Sequence, residues 1–530
     1  SGLSTGMTTI TVAGEITAGT PGYAGVYGTS TSGGITVNVT GTGVIDPDYG
    51  IDLSTVDGPL VVNNAGLVTG TIDGVRLVAT GTGSANISNT GTITGGTNAV
   101  LISVNNTPST LFNSGTINGA IQMIGTTVAT SNWINGPTGI ANLTGASSIS
   151  ANLANGGNVN LGAGSTLTVL GNTQNAGRVT FAGAGTFTTV GSMANTGIIN
   201  ARNNLTSNVV TVGGNYSGGG QFWADYSTNT ATADRLNIGG SATGNTNVTM
   251  NLVGTRSFVP GGFLPVVTVA GAAPASAFTS STVFPTTGFI LDSFGQNPSN
   301  AHQFGVIQAV NPTAAGLGNL SYMAESASGL LDDPISPFVT NRTDVGGTRF
   351  SLWMRGSGGH SKQTISSSLT GGGMSYNSTT RFRTSQHAAQ IGADLSFGGI
   401  GGGWKANVGV MGGWYGASAP LAGGERIKVE TPFIGGYAVV GNGAFELEGN
   451  IRKEWRHYTV AMPSLFGTVG TQRMRGDATA GSVRASYRIG GKTGFAATPF
   501  SSFNYADTQI DPLVLDAFSV WTPGSDTTKI

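Results

Sequence analysis

An all-β chain is predicted: a right-handed parallel β-helix followed by an antiparallel transmembrane β-barrel. Three observations carry this. A short phrase, Asn-x-Gly-x-Ile/Val, recurs at regular intervals through the first two hundred positions. After residue 350, apolar and polar residues alternate with period two over long stretches. Charge is divided, since residues 1–340 carry 12 acids, 5 arginines and no lysine, whereas 341–530 carry 12 acids and 18 bases. The net charge of −1 therefore conceals −7 and +6, and the chain reads as two unlike segments joined near 340.

The first segment repeats. Copies of the phrase begin at Asn64, Asn89, Asn113, Asn155, Asn175 and Asn195, with a degenerate one at Asn135-Gly136. The interval shortens slightly along the chain and then becomes constant from Asn135 onward. A period of roughly 20–25 positions marks a stack of coils. Between copies the pattern is that of strands rich in Thr, Val, Ile and Asn, as at Leu161, Leu167 and Val169. Glu, Lys and Gln are nearly absent, which disfavours helical repeats. Glycine and asparagine are expected to supply left-handed conformations at the corners. One coil buries little, but stacking buries a continuous interior of Val, Ile and Leu. The stem is placed over roughly 1–260, with a neutral shell of Thr, Ser and Asn.

The second segment alternates differently. Trp404, Ala406, Val408, Val410, Gly412 and Trp414 form an apolar set with an aromatic at each end, as expected of the lipid face of a spanning strand. From Phe445, the residues Phe445, Leu447, Gly449, Ile451 and Trp455 point one way, with Lys453 as the exception. Glu446, Glu448, Asn450, Arg452, Glu454 and Arg456 point the other way and predict a wet lumen of mixed charge. The same scheme recurs at Val483 to Ile489 and at Gln386 to Phe397. A soluble sandwich also alternates, but its strands are usually about 5–6 residues, whereas a tilted spanning strand needs about 9–11. Gly371-Gly372-Gly373, Gly398-Gly399 and Gly423-Gly424 read as turns. About eight strands are expected between 350 and 523.

Composition excludes several classes. With 88 glycines but only 19 prolines the chain is neither collagen nor a polyproline rod, and 38% hydrophobic residues argue against disorder. Without cysteine there is no disulfide framework, thiolate metal site or Cys nucleophile. Near-neutral charge argues against nucleic acid. No run of 18 apolar residues occurs, and Ser1-Gly2-Leu3 does not open a signal peptide. The acidic cluster Asp46, Asp48, Asp52 and Asp57 fails the Ca²⁺-loop spacing and contains Pro47 and Gly50, so it reads as a solvated turn. His302 is the stem's one histidine and has no triad phrase around it. Arg475-Gly476-Asp477, a tripeptide of the integrin-binding type, falls at the start of a predicted barrel strand and reads as a loop or rim charge pair. Neither catalytic, cofactor nor metal residues are assigned, and an enzyme is not expected.

The order of these parts resembles a Gram-negative autotransporter of the pertactin and adhesin-like group. Ala233-Asp234-Arg235-Leu236-Asn237-Ile238-Gly239-Gly240-Ser241-Ala242-Thr243-Gly244 resembles the region that closes the family's passenger. Phe350-Ser351-Leu352-Trp353-Met354-Arg355-Gly356 resembles its first barrel strand. The resemblance implies a passenger stem over 1–260 with an autochaperone-like region near 205–270. It implies a junction and pore-threading linker over 261–345, and a barrel over 346–530. Tyr322, Met323, Glu325, Leu330 and Leu331 give the linker weak helical character before Pro334 and Pro337 stop it. It also implies secretion of the passenger through its own barrel without ATP or a cofactor. The implied partners are outer-membrane lipid and the barrel-insertion machinery, with host-cell, glycan or self-association contacts through the passenger. Some members cut themselves at an Asn-Asn pair in the pore; no such pair lies between 318 and 345, so no cut is expected there. Family barrels have twelve strands and usually end in an aromatic residue. This chain ends Thr527-Thr528-Lys529-Ile530, so an incomplete barrel is expected. Two other readings stay open: a surface-displayed β-helix lyase or hydrolase, and a porin-like channel with a β-helix appendage.

Overall fold

The computed structural model describes residues 6–17, 22–339, 347–371, 374–421, 424–467, 470–490, 495–516, 519–521 and 526–529. The chain forms two units. One is Ser1–Phe284 with Asp292–Gln308; the other is Pro285–Leu291 with Ala309–Ile530.

The first unit is a parallel β-solenoid of about ten turns. One of its faces is an 11-stranded sheet in which each strand pairs with the strand one coil later. The repeat asparagines fall in register, with Asn89 opposite Asn64 and Asn113, and Asn155 opposite Asn135 and Asn175. Their side chains point inward and form a ladder. Each Nδ2 from Asn64 to Asn175 donates to the Oδ1 of the next asparagine at 2.7–2.8 Å. An unpaired buried amide would cost about 1–3 kcal/mol, and the ladder satisfies every rung against its neighbour. It ends where Asn195 Nδ2 donates to Tyr216 Oη at 3.3 Å. Beside it run apolar stacks in register, such as Val159, Val179, Ile199 and Phe222, all fully buried. Such stacking is what a single coil cannot supply.

Left-handed corners occur as expected, at Asn106, Gly145 and Gly164 among others. The glycines of the repeat phrase serve a different purpose, since Gly177 and Gly197 do not have positive φ. A Cβ on Gly197 would lie 2.1 Å from the carbonyl oxygen of Gly177, and one on Gly177 would lie 2.1 Å from that of Gly157. Glycine is required because successive coils approach too closely for any side chain. Parallel pairing also continues beyond residue 260, since Leu236 lies opposite Val267 and Thr246 opposite Phe278. An antiparallel strand, Asn300–Val310, then covers the last coil by pairing with Phe263–Val269.

The second unit contains an antiparallel sheet in sequential order. Its strands are β1 (Gly347–Gly371), β2 (Met374–Gly398), β3 (Lys405–Pro420), β4 (Arg426–Gly441), β5 (Phe445–Ala461), β6 (Thr471–Tyr487), β7 (Phe500–Ile510) and the short β8 (Asp526–Lys529). The first seven are all long enough to span a membrane at a tilt, which is consistent with a barrel. Tight turns follow from Gly399 at φ +76° and Gly443 at φ +90°. One face is apolar and exposed: Ile391, Val410, Ile434 and Ile451 are each 58–64% accessible. In water so large an apolar surface would be a liability; against hydrocarbon it is the expected solution. Among the described residues no helix is long and apolar enough to cross a membrane.

Candidate functional site

The other face of this sheet is where the chemistry concentrates. A helical segment lies against it: Pro312–Asn319, then α1 (Leu320–Ser328), then Gly329–Leu331. Asn311 starts it by accepting the Thr313 N–H on its side chain at 3.1 Å. Leu320, Met323, Ala324, Ala327 and Ser328 are buried at i, i+3, i+4, i+7 and i+8, which is one helix face. The helix touches β2, β3, β4 and β7, so the sheet curls around it. It packs in one apolar cluster with Tyr415, Val429 and Tyr458.

The six alternating polar residues of β5 do point inward, as their period requires. The mixed charge expected of the lumen is present, and much of it is buried. Arg452, Glu454 and Arg456 are 3% accessible or less, and their charges are paired within the protein. Arg452 Nε lies 2.8 Å from Glu454 Oε1, and Arg456 Nη2 lies 2.9 Å from Glu454 Oε2. Arg452 Nη1 reaches Asp332 at 2.7 Å. Tyr415 and Ser328 each donate a hydroxyl to Glu454 at 2.7 Å. Two guanidiniums thus meet two carboxylates, with hydroxyls filling remaining acceptor positions. That balance is the condition for burying charge.

The same wall holds both sides of the break after α1. Arg355 of β1 donates to the carbonyls of Leu331 and Asp333 at 2.7 and 2.8 Å, a cation on the orphan carbonyls of a helix end. Glu448 of β5 accepts the N–H groups of Ile335 and Ser336 at 3.0–3.2 Å. The short helix Ser336–Val339 begins there. The sequence reading makes Pro337 a helix stop, but it sits in the first turn of this helix, where its missing N–H costs nothing. Residues 340–346 of the linker lie outside the described residues. The arrangement fixes a helix inside the curled sheet at several points, and among the described residues it brings together no nucleophile, base and orienter.

The other residues singled out in the sequence are dispersed. Asp48 accepts from Thr71 Oγ1 at 2.6 Å, Asp52 pairs with Arg76 at 2.9 Å and Asp57 accepts from Thr82 N at 2.9 Å. Each stitches one coil to the next, and the hydrogen bonds hold the Asp48 and Asp57 carboxyls below their ordinary pKa. Among the described residues no group of three potential metal-binding side chains occurs. His302 Nδ1 lies 3.1 Å from the carbonyl oxygen of Val269 and 3.0 Å from that of Gly271. Asp477 of the Arg-Gly-Asp tripeptide lies within β6, 3.4 Å from Lys453, so the exceptional lysine of β5 and this aspartate form an exposed charge pair. Asp234 and Leu236 of the closing region are both fully buried.

A stacked-coil solenoid followed by an antiparallel sheet that is apolar outside and charged inside defines a β-solenoid protein with a C-terminal domain consistent with a membrane β-barrel. Residues 352–516 match the family model described as Autotransporter beta-domain. With the solenoid N-terminal to that domain, the chain fits an autotransporter, a type V secreted surface protein of the outer membrane, which bears out the autotransporter part of the resemblance read in the sequence. No curated protein matches the chain.

Proposed function

We propose that the solenoid is displayed for adhesion or cell–cell aggregation and acts by surface contact without catalysis. The carrying observation is its outer surface between Leu77 and Gly177, a stretch without one charged residue. Thr94, Asn118, Asn142 and Asn160 stack in register there, and Thr180 continues the row just beyond it. The amides chain along the stack: Asn118 donates to Thr94 at 3.2 Å, Asn142 to Asn118 at 2.8 Å and Asn160 to Asn142 at 2.8 Å. A flat, neutral face of amides and hydroxyls suits contact with another hydrogen-bonding surface. A lyase or hydrolase working on this face would need acids and a base clustered on its adjacent coils, and the stretch from Leu77 to Gly177 supplies none.

The barrel exports this stem, and α1 is the segment that occupies the lumen afterwards. A porin would need its charged wall open to water, and here that wall is covered. The test is display of the chain in a Gram-negative host. Protease accessibility of the solenoid on intact cells, together with faster settling or surface attachment than non-displaying cells, supports the reading. Depolymerisation of polysaccharide by the displayed solenoid would overturn it.

A further inference from the structure

One cavity of about 390 Å³ opens on the solenoid surface, lined by Asn200, Arg202, Asn203, Asn204, Trp223, Asp225 and Asn251. It exists because the coil is interrupted. Val169 lies opposite Thr189 and Thr189 opposite Val212, and the second of these two steps along the chain is the longer. The added residues form the loop 201–208, between strands Ile198–Asn200 and Val209–Val212. The loop is held open by a buried carboxylate. Asp225 Oδ2 accepts the N–H groups of Asn203 and Asn204 at 2.7 and 2.6 Å, and its Oδ1 accepts from Asn251 Nδ2 at 2.6 Å. Asn204 takes φ +66° to make the turn.

Beside this frame lies a fixed aromatic ring. Trp223 Nε1 donates to Gln221 Oε1 at 2.6 Å, and the Arg178 guanidinium lies 4.9 Å from the centre of its ring. Trp223 is outward-facing and stands in register with the Thr94–Thr180 row, next after Asn200. It is the row's one aromatic among hydroxyls and amides. Arg202 at the mouth is exposed. The cavity therefore combines an immobilised indole, several amides and the Arg202 cation, beside the Asp225 carboxylate, whose oxygens are already taken by N–H donors, and its volume falls within the roughly 300–1,000 Å³ typical of small-ligand sites. Immobilised side chains bind at lower entropic cost.

We infer that this cleft binds an acidic saccharide, its C–H face on Trp223, its hydroxyls on the amides and its carboxylate on Arg202. The inference rests on the adhesive reading of the solenoid and assigns it a ligand class. The test uses the full chain, purified in detergent, on an array of uronate-bearing, sialylated and neutral oligosaccharides. Acidic sugars should be retained roughly tenfold better than neutral ones. Arg202→Gln, an exposed substitution that leaves the fold intact, should remove that preference, and Trp223→Ala should remove retention of both kinds. Absence of retention for every acidic sugar, or retention unchanged in both variants, would overturn the assignment. Displaying cells carrying the same variants separate the two readings: aggregation without any saccharide retention sinks the cleft alone.

Discussion

Asp234 Oδ2 accepts the backbone N–H of Asp225 at 2.8 Å, so one buried carboxylate holds the main chain of another. The second oxygen of Asp234 accepts the N–H of Asn208 at 2.9 Å. Burial, opposed by these hydrogen bonds and reinforced by the nearby Asp225 charge, pushes the Asp234 carboxyl up to about 7. Its unfolded value is near 3.9. The folded state therefore binds the proton more tightly. The associated stability is fully present below about pH 4 and is lost as pH rises through about 7, on the order of a few kcal/mol in all. Hydrogen exchange of residues 221–238 should show protection falling between pH 4 and pH 8, relative to distant coils. Flat relative protection across that range would contradict the assignment.

The asparagine ladder predicts a graded effect along the stem. Asn135→Ala removes the acceptor for Asn113 Nδ2 and the donor to Asn155 Oδ1, both at 2.8 Å. Asn155 Oδ1 loses that donor and Asn113 Nδ2 keeps only the Ile140 carbonyl at 3.2 Å, at about 1–3 kcal/mol for each lost bond. The damage is local, because each coil contacts only its neighbours. Limited proteolysis should cut first between 113 and 155. Asn63→Ala, at an exposed asparagine, should leave the pattern unchanged.

The glycines separate two mechanisms. Gly197→Ala places a Cβ 2.1 Å from the Gly177 oxygen, so the coils must part. Gly164 has φ +74° but nothing within 4 Å of its Cβ position, so Gly164→Ala incurs only backbone strain of about 1–2 kcal/mol. Gly197→Ala should be the more destabilising in urea unfolding of the full chain. Equal midpoints would show that coil spacing is softer than the close approach implies.

Much of this is legible in the chain. The spacing of the repeat phrase places its asparagines, and the structure sets them in one register. Period two places Ile391, Val410, Ile434 and Ile451 on one face of the sheet. What stays hidden depends on contacts distant in sequence. Glu454 of β5 is partnered by Ser328 of α1, and no local pattern announces that pairing. The role of Gly197 depends on how closely the coils approach, which composition does not report. The cavity at Trp223 arises from an interruption of the regular period, visible only once strands are in register.

The lumen gives the last test. Glu454 is flanked by Arg452 and Arg456, all three buried. Glu454→Ala leaves two guanidiniums without their shared carboxylate, and breaking such a buried pair costs about 3–5 kcal/mol. Ser328→Ala removes one hydroxyl that donates to Glu454 and accepts from Arg452 Nη2 at 2.6 Å, which costs about 1–3 kcal/mol. Both changes loosen α1 from the wall, the first more than the second. In limited proteolysis of the full chain in detergent, residues 320–331 should be cut slowly in the wild type, somewhat faster in Ser328→Ala and fastest in Glu454→Ala. The sheet itself need not unfold, because its strands pair through backbone hydrogen bonds that neither change touches. If Glu454→Ala left the proteolytic protection of residues 320–331 unaltered, the network would not be what holds the helix in place.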